Sequence, residues 1–207
     1  MRLAEPVHLR NWRAELTLDF ERRGARTVLA ARRHDGPLVV QKPLYPEGDA
    51  VCHAIVVHPP AGIAGGDELE IAARAGEGAH ALLTTPGAGK WYRSMGPWAR
   101  QALAFEARAG ACIEWLPQET IVFDGALAET AYDVNLGAQA GIIGWDIVCL
   151  GRTGSGERFA SGTLRSSIRI RRENRLLWLE RGRIDGGGRL LERDEGDRAM
   201  RQTVLTC

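Results

Sequence analysis

Four carboxylates lie in loops rich in glycine and proline, where side chains are free to do chemistry. Asp67 ends the segment HPPAGIAGGD, Glu119 and Asp124 lie in EWLPQETIVFDGA, and Glu157 follows a Gly-Ser-Gly turn. Carboxylates in such loops act as general acids or bases, or bind cations. Glu119 and Asp124 are five residues apart, however, which places them on opposite faces of an extended segment. We therefore expect separate roles along a polar passage, with a cap on its own loop as the alternative for Asp67.

The glycines beside Lys90, in the segment TTPGAGKWYRS, do not form a phosphate-binding loop. That loop requires GxxxxGK followed by Ser or Thr, so that backbone amides and a hydroxyl group hold phosphate and magnesium. Here Thr84 takes the place of the first glycine, and Trp91 follows Lys90. The sequence therefore does not predict a nucleotide hydrolase.

The histidines and cysteines do not predict a tight metal chelate or a nucleophile. His53 and His58 flank a short apolar run, next to Cys52, but their spacing of five places them on opposite strand faces. The four cysteines form no CxxC pair, and no Ser/His/Asp or Cys/His arrangement stands out. We expect free thiols in a reducing, cytoplasmic setting.

Charge and hydropathy exclude two classes of partner. The net charge is +1, which does not predict nucleic-acid binding. The longest apolar run, Ile142 to Leu150, is too short to span a bilayer, and the first residues lack the apolar core of a signal peptide. From Gly151 to Cys207 there are 13 Arg and 8 Asp or Glu, a local excess of 13 − 8 = +5. This excess fits either a solvated face or a docking surface for an acidic partner.

Short alternating strands dominate the chain and form a weak repeat. The segments ARAGEGAHALLTT, ARAGACIEWLPQ and GAQAGIIGWDIV align on Gly78, Gly110 and Gly141, with separations of 32 and 31 residues. Each unit is a strand, a glycine turn, a second strand and a polar loop. Repeats of this length are typical of stacked units, so we predict a β-helix-like stack with its loops on one side. A β-sandwich of ordinary hairpins is the alternative.

Helix signals are few, and they predict one or two short helices at most. The candidates are residues Trp91 to Gln101, which Gly96-Pro97 interrupts, and Leu190 to Leu205, which Gly196 weakens. No linker or low-complexity segment divides the chain. We therefore predict one β-rich domain over residues 1–207.

The four glycine- and proline-rich segments, in this order, resemble the urease accessory protein family UreD, also called UreH. They are HPPAGIAGGD, TTPGAGKWYRS, EWLPQETIVFDGA and the GR-x-x-x-GE-x-F segment that begins at Gly151. The resemblance runs from about Leu16 to Leu191. Ala61, Gly89 and Trp91 differ from the residues that the family usually has. Family members normally continue past this endpoint, so the resemblance implies a chain that lacks the C-terminal part.

The resemblance implies a β-helix-like, non-enzymatic maturation factor in the cytoplasm. Such proteins recruit a helical adaptor (UreF family) and a nickel-carrying GTPase (UreG family) to apo-urease. It implies no tightly bound cofactor, and Ni²⁺ passing through on weak oxygen and imidazole ligands. Carried onto this sequence, the carboxylates predicted to line the passage are Asp67, Glu119, Asp124 and Glu157. The residues predicted to shape a loop or dock a partner are Lys90, Tyr92 and Arg93.

A different class of function fits the same residues less closely. In a β-helix enzyme acting on polysaccharide, Asp67, Glu119 and Asp124 would serve as acid, base or cation ligands. Turnover of a uronate or glycan by the purified chain would distinguish this enzyme from a scaffold.

Overall fold

The fold consists almost entirely of β-strands that stack into coils. The structure is a computed structural model that describes residues 11–188, 191 and 200–206. Buried apolar residues alternate along most of the strands, because a strand places successive side chains on opposite faces. The strands are β1 Arg13–Arg23, β2 Arg26–Asp35, β3 Val39–Val40, β4 Val51–Val57, β5 Glu68–Ala75, β6 His80–Thr84, β7 Gly89–Trp91, β8 Ala99–Ala107, β9 Cys112–Trp115, β10 Thr120–Val122, β11 Leu127–Leu136, β12 Gly141–Leu150, β13 Thr163–Arg172, β14 Arg175–Asp185 and β15 Met200–Thr206.

Parallel pairing between successive coils confirms the predicted β-helix-like stack. One sheet has the order β14-β13-β11-β8-β5-β1-β2, and its strands β1, β5, β8, β11 and β13 run parallel. The other has the order β3-β4-β6-β9-β12-β10-β7, with β15 on β12. Strands β4, β6, β9 and β12 are again parallel. A sandwich of hairpins would be antiparallel, so the alternative architecture is wrong.

The core lies between the two sheets, where the alternating residues point inward. Leu103 and Phe105 of β8 are buried against Ile113 and Trp115 of β9, and the rings of Phe105 and Trp115 lie 5.7 Å apart. The buried apolar side chains form one connected cluster. Burial of this surface is the main stabilising contribution to the stack.

The turns between the two sheets show that the predicted repeat was misaligned in its third unit. Gly78 and Gly110 adopt positive φ angles of 63° and 64°, and the equivalent residue of the third coil is Gln139, with φ 55°. Gly141 pairs with Cys112, two positions after this turn. The predicted alignment on Gly141 was therefore wrong by two residues, because a non-glycine residue occupies the left-handed position.

We expect Gln139→Gly to raise the free energy of unfolding by about 1 kcal/mol, because the left-handed conformation costs a side chain about this much. Gly110→Ala is the matched opposite change and should lower it by about the same amount. A methyl group at Gly110 meets no atom within 4 Å, so its effect reports backbone conformation alone. Urea unfolding of both variants measures the two values. Equal stability of all three chains would contradict the assignment.

Neither predicted helix is present in the described residues. Residues 92–98 form a loop, in which the Ser94 hydroxyl group accepts a bond from the amide of Gly96. Met200–Thr206 is strand β15, which completes the free edge of β12 with antiparallel bonds. Residues 190 and 192–199 of the second candidate lie outside the described residues. The described part of the chain has a single short 3-10 turn, Thr153–Ser155, and no helix that is long and apolar enough to cross a membrane.

Candidate functional site

The four glycine- and proline-rich segments stack on one side of the coils. The amide of Ile63 donates to the carbonyl of Lys90 at 2.8 Å, and the amide of Gly89 donates to the carbonyl of Glu119 at 2.8 Å. Strands β7, β10 and the end of β12 continue this ladder in parallel. Residues far apart in the sequence therefore come together along one column of loops.

A cavity of about 260 Å³ lies behind these loops and reaches into the core. Its mouth is formed by the HPPAG and TTPGAGK segments, and its floor by inward-facing residues of both sheets. The lining is mixed, with apolar walls and a few polar groups. Those polar groups include His58, Lys90, Gln101, Gln118, Thr120 and Tyr132.

Polar residues also stack inside the coils, at positions that the alternation would give to apolar side chains. Gln101 of β8 pairs in register with Thr130 of β11, and Thr130 pairs with Ser166 of β13. Thr130 is 3 % exposed. Buried hydroxyl and amide groups require hydrogen-bond partners, so these three residues mark a polar line through an apolar core.

Tyr132 separates the large cavity from a smaller one of about 20 Å³. Its hydroxyl group donates to Asp146 at 3.3 Å, and the Thr120 hydroxyl group donates to the same carboxylate at 3.1 Å. Burial, together with the charge of Asp146, raises the pKa of Tyr132 well above its usual value. The phenol is therefore protonated at neutral pH. Thr130 and Ser166 line the smaller cavity, which has room for one water molecule.

His58 stands at the wall of the large cavity with a buried ring nitrogen. Its Nε2 atom has no hydrogen-bond partner among the described residues. Burial lowers the pKa of His58, and the charge of Asp67 offsets this only in part. The ring is thus neutral at neutral pH and keeps a lone pair. His53 instead bonds Glu47 at 2.7 Å.

Asp67 caps the backbone of its own loop. One carboxylate oxygen accepts from the amide of Ala64 at 2.8 Å, and the other accepts from the amide of Trp12 at 2.9 Å. The residue is 5 % exposed and does not line either cavity. This geometry corresponds to the capping alternative.

Asp124 and Glu157 come together in a network that ties three loops. Asp124 accepts bonds from the amide and the hydroxyl group of Ser161 at 2.8 and 3.0 Å, and pairs with Arg93 at 2.7 Å. Its own amide donates to Glu157 at 3.2 Å. The hydrogen bond from Arg152 is the main cause of the lowered pKa of Glu157. Both carboxylates therefore hold loop backbone.

The remaining predicted residues lie around the same loops. The Glu119 side chain is exposed, and Lys90 lines the large cavity. The ring of Tyr92 packs on Gly62 so closely that a Cβ atom there would lie 2.1 Å from it. It also meets the ring of Phe123 edge-on at 5.1 Å.

None of the four predicted carboxylates lines either cavity, so their contact with nickel stays a prediction. Sequence reasoning missed the polar groups that do line them. The sequence does contain a signal for these residues. Gln101 and Thr130 are polar at positions where the strand alternation predicts an inward-facing apolar side chain. The missed residues are Gln101, Thr120, Thr130, Tyr132, Asp146 and Ser166.

Several arginines of the basic C-terminal region are paired within the chain. Arg169 and Arg171 both pair with Asp133, and Arg183 pairs with Asp185. The guanidinium group of Arg165 lies 4.1 Å from the ring centre of Trp98. These contacts favour the interpretation of a solvated face over that of a docking surface for an acidic partner.

Strand β14 exposes consecutive large apolar side chains, which lie on both faces of the sheet edge. It is the edge strand of its sheet among the described residues, and a bulge interrupts its pairing with β13 after Ile170. Exposed apolar patches of this kind mark protein contacts. The β14 strip consists of Leu176, Leu177, Trp178 and Leu179, each 42–51 % exposed.

Comparison with known proteins shows the family to which the sequence is similar. Residues 13–204 match the family model described as "UreD urease accessory protein". The chain is 60% identical over 89% of its length to a urease accessory protein UreD of Azoarcus sp. (strain BH72), covering 65% of that protein. It is 57% identical over 91% of its length to the UreD protein of Dechloromonas aromatica, covering 66% of it. The chain thus spans about two thirds of the length of these curated relatives.

Proposed function

Because the chain belongs to the UreD family of urease accessory proteins, we propose that it acts in urease maturation as a scaffold and not as an enzyme. In this proposal it works in the cytoplasm and recruits an adaptor of the UreF family and a nickel-carrying GTPase of the UreG family to apo-urease. The family match over residues 13–204 is the observation that carries the proposal.

The polar interior supports a second element of the proposal, the passage of Ni²⁺ through the coils. The ion is cargo and not a resident cofactor, so the sites along its path must hold it weakly. His58 offers a neutral imidazole at the mouth, and Asp146 offers a carboxylate deeper inside. Hydroxyl groups of Thr120, Thr130 and Ser166 continue the line. Oxygen and imidazole ligands of this kind suit a borderline ion that must leave again.

The loop carboxylates have a different role in this proposal. Asp67 holds the loop that contributes to the mouth, Asp124 and Glu157 hold neighbouring loops on the same side of the coils, and each uses its oxygens on backbone amides. Glu119, with its exposed side chain, remains the predicted carboxylate with the most freedom to meet an ion at the surface.

Co-expression with the adaptor, the GTPase and apo-urease tests the scaffold role directly. The expected result is co-elution of the chain with the adaptor and urease in size-exclusion chromatography. The Azoarcus relative, expressed in the same way, is the positive control. If the relative assembles and this chain, soluble and folded, does not, the scaffold proposal fails for the chain.

The β14 strip should carry part of the contact with a protein of the maturation complex. We expect Trp178→Ser combined with Leu179→Ser to weaken co-elution at least tenfold, since buried Trp anchors often contribute about 2 kcal/mol or more. Leu44→Ser, at a side chain that is 43% exposed elsewhere, is the matched control. Unchanged co-elution of the double variant, with both variants folded by circular dichroism, would exclude the strip.

A further inference from the structure

Three side chains that can bind a metal ion meet on the outer face of the second sheet. His80 of β6 pairs in register with Cys112 of β9, and Glu114 follows two residues later on the same face. One donor atom from each of the three lies within 4.8 Å of the others. His80 Nε2 and Glu114 Oε1 are 2.5 Å apart. None of the three lines either interior cavity.

The backbone holds these side chains in place. The amide of His80 donates to the Thr27 hydroxyl group at 3.1 Å, and that fully buried hydroxyl group donates to the carbonyl of Ala50 at 2.7 Å. The amide of Cys112 donates to the carbonyl of Ala79 at 2.9 Å. The three residues are therefore carried by adjacent, hydrogen-bonded strands and not by loops.

The side chains are partly shielded and still reachable. The His80 side chain is 33 % exposed and that of Glu114 is 19 % exposed. Shielding strengthens the attraction between a cation and its ligands, because the local dielectric constant is lower than that of water.

We propose that His80, Cys112 and Glu114 form a binding site for one divalent ion of the borderline class, such as Zn²⁺, Co²⁺ or Ni²⁺. An imidazole nitrogen, a thiolate and a carboxylate oxygen are the donor types that these ions accept together. Bond lengths of about 2.0–2.3 Å place ligand atoms on one ion roughly 3–4 Å apart, which small side-chain rotations provide here. The fourth position is left to water, so the ion is exchangeable.

This site stands apart from the proposed function. It uses other residues than the interior passage and lies on the other side of the sheet's backbone. The two proposals are therefore independent. The metal site could exist without an interior passage, and an interior passage does not require the metal site.

Titration of the reduced, full chain with Co²⁺ tests the site. Thiolate bound to Co²⁺ gives a charge-transfer absorption band, and we expect one ion per chain with this band. Added Zn²⁺ should displace the ion and abolish the band. Cys112→Ser should remove the band, and Glu114→Gln should weaken binding about tenfold or more, because even outer partners of metal ligands contribute that much.

The controls separate this site from other thiols and from the interior. Cys149→Ser, at a half-buried thiol of β12, should keep the band, and so should Asp146→Asn inside the coils. Circular dichroism establishes that each variant is folded, and Glu114→Gln serves as the test should Cys112→Ser not fold. Absence of the band in the folded wild-type chain, or its loss in Cys149→Ser and not in Cys112→Ser, would overturn the proposal.

Discussion

Replacing Asp124 with alanine should lower the free energy of unfolding by about 3 kcal/mol. One carboxylate oxygen accepts from the amides of Ala160 and Ser161 and from the Ser161 hydroxyl group. The other oxygen pairs with Arg93 at 2.7 Å. Alanine leaves all of these donors without their acceptor, and each bond to the carboxylate contributes about 1 kcal/mol. The loops that carry Arg93, Asp124 and Ser161 should loosen together.

Urea unfolding followed by circular dichroism measures this change. Asp124→Asn keeps one acceptor oxygen and should cost less than the alanine variant. Glu21→Ala, which removes an exposed ion pair with Arg23, is the matched control and should change stability by less than about 1 kcal/mol. Equal stabilities of Asp124→Ala and Glu21→Ala would show that the network contributes nothing.

The same carboxylate predicts a pH dependence. Burial alone would raise the pKa of Asp124, but hydrogen bonds from Ser161, Arg93 and Ala160 outweigh it and lower the pKa. The folded state therefore takes up a proton less readily than the unfolded state. The stabilisation is present above the ordinary Asp value of about 4 and is lost as the pH falls through the lowered value. The stability difference between wild type and Asp124→Ala should shrink over that range.

The strand pattern was predictable because it depends on local alternation. Leu69, Ile71 and Ala73 alternate with residues that are not buried, and they are themselves buried as that period requires. Repetition of the same pattern after a glycine turn also indicated stacking, since one such unit alone cannot bury its apolar face.

Other features depend on partners that are distant in the sequence. Gln139 carries no turn signal of its own, and only its register against Gly110 shows that it takes the left-handed position. Strand β15 forms because β12 offers a free edge, which outweighs the weak helical pattern of its residues. Local propensity cannot reveal either effect.

The sequence predicted where the candidate site lies, but not which residues line it. Residues of the first three glycine- and proline-rich segments do line the main cavity, whereas the segment that begins at Gly151 does not. Asp67, however, bonds the amide of Trp12, which is 55 residues away, and no local pattern distinguishes that cap from a ligand. Tyr132 and Asp146 meet across the interior in the same way. Such pairs form only in the folded chain, where residues distant in the sequence come into contact.

Replacing Asp146 with asparagine should reduce nickel loading of co-expressed urease about tenfold while the maturation complex still forms. Asparagine keeps the shape and one acceptor oxygen, and removes the charge that attracts the ion; of the hydroxyl groups of Thr120 and Tyr132, which bond different oxygens of the carboxylate, one must reorient. A tenfold slower transfer corresponds to a barrier that is higher by about 1.4 kcal/mol, a modest loss for one carboxylate–cation contact. Nickel content per urease active site, measured after purification, is the readout.

Two further variants decide between an interior route and a surface route. Ser166→Leu fills the smaller cavity of about 20 Å³ without changing charge, and should block loading as Asp146→Asn does. Asp133→Asn, on the outward face of β11 beside Arg171, removes a carboxylate outside the interior and should leave loading unchanged. If both interior variants load nickel normally while Glu119→Gln does not, the ion travels along the loop surface. In that case the polar side chains inside the coils have a structural role only. Their hydroxyl groups would serve as hydrogen-bond partners for other buried polar groups.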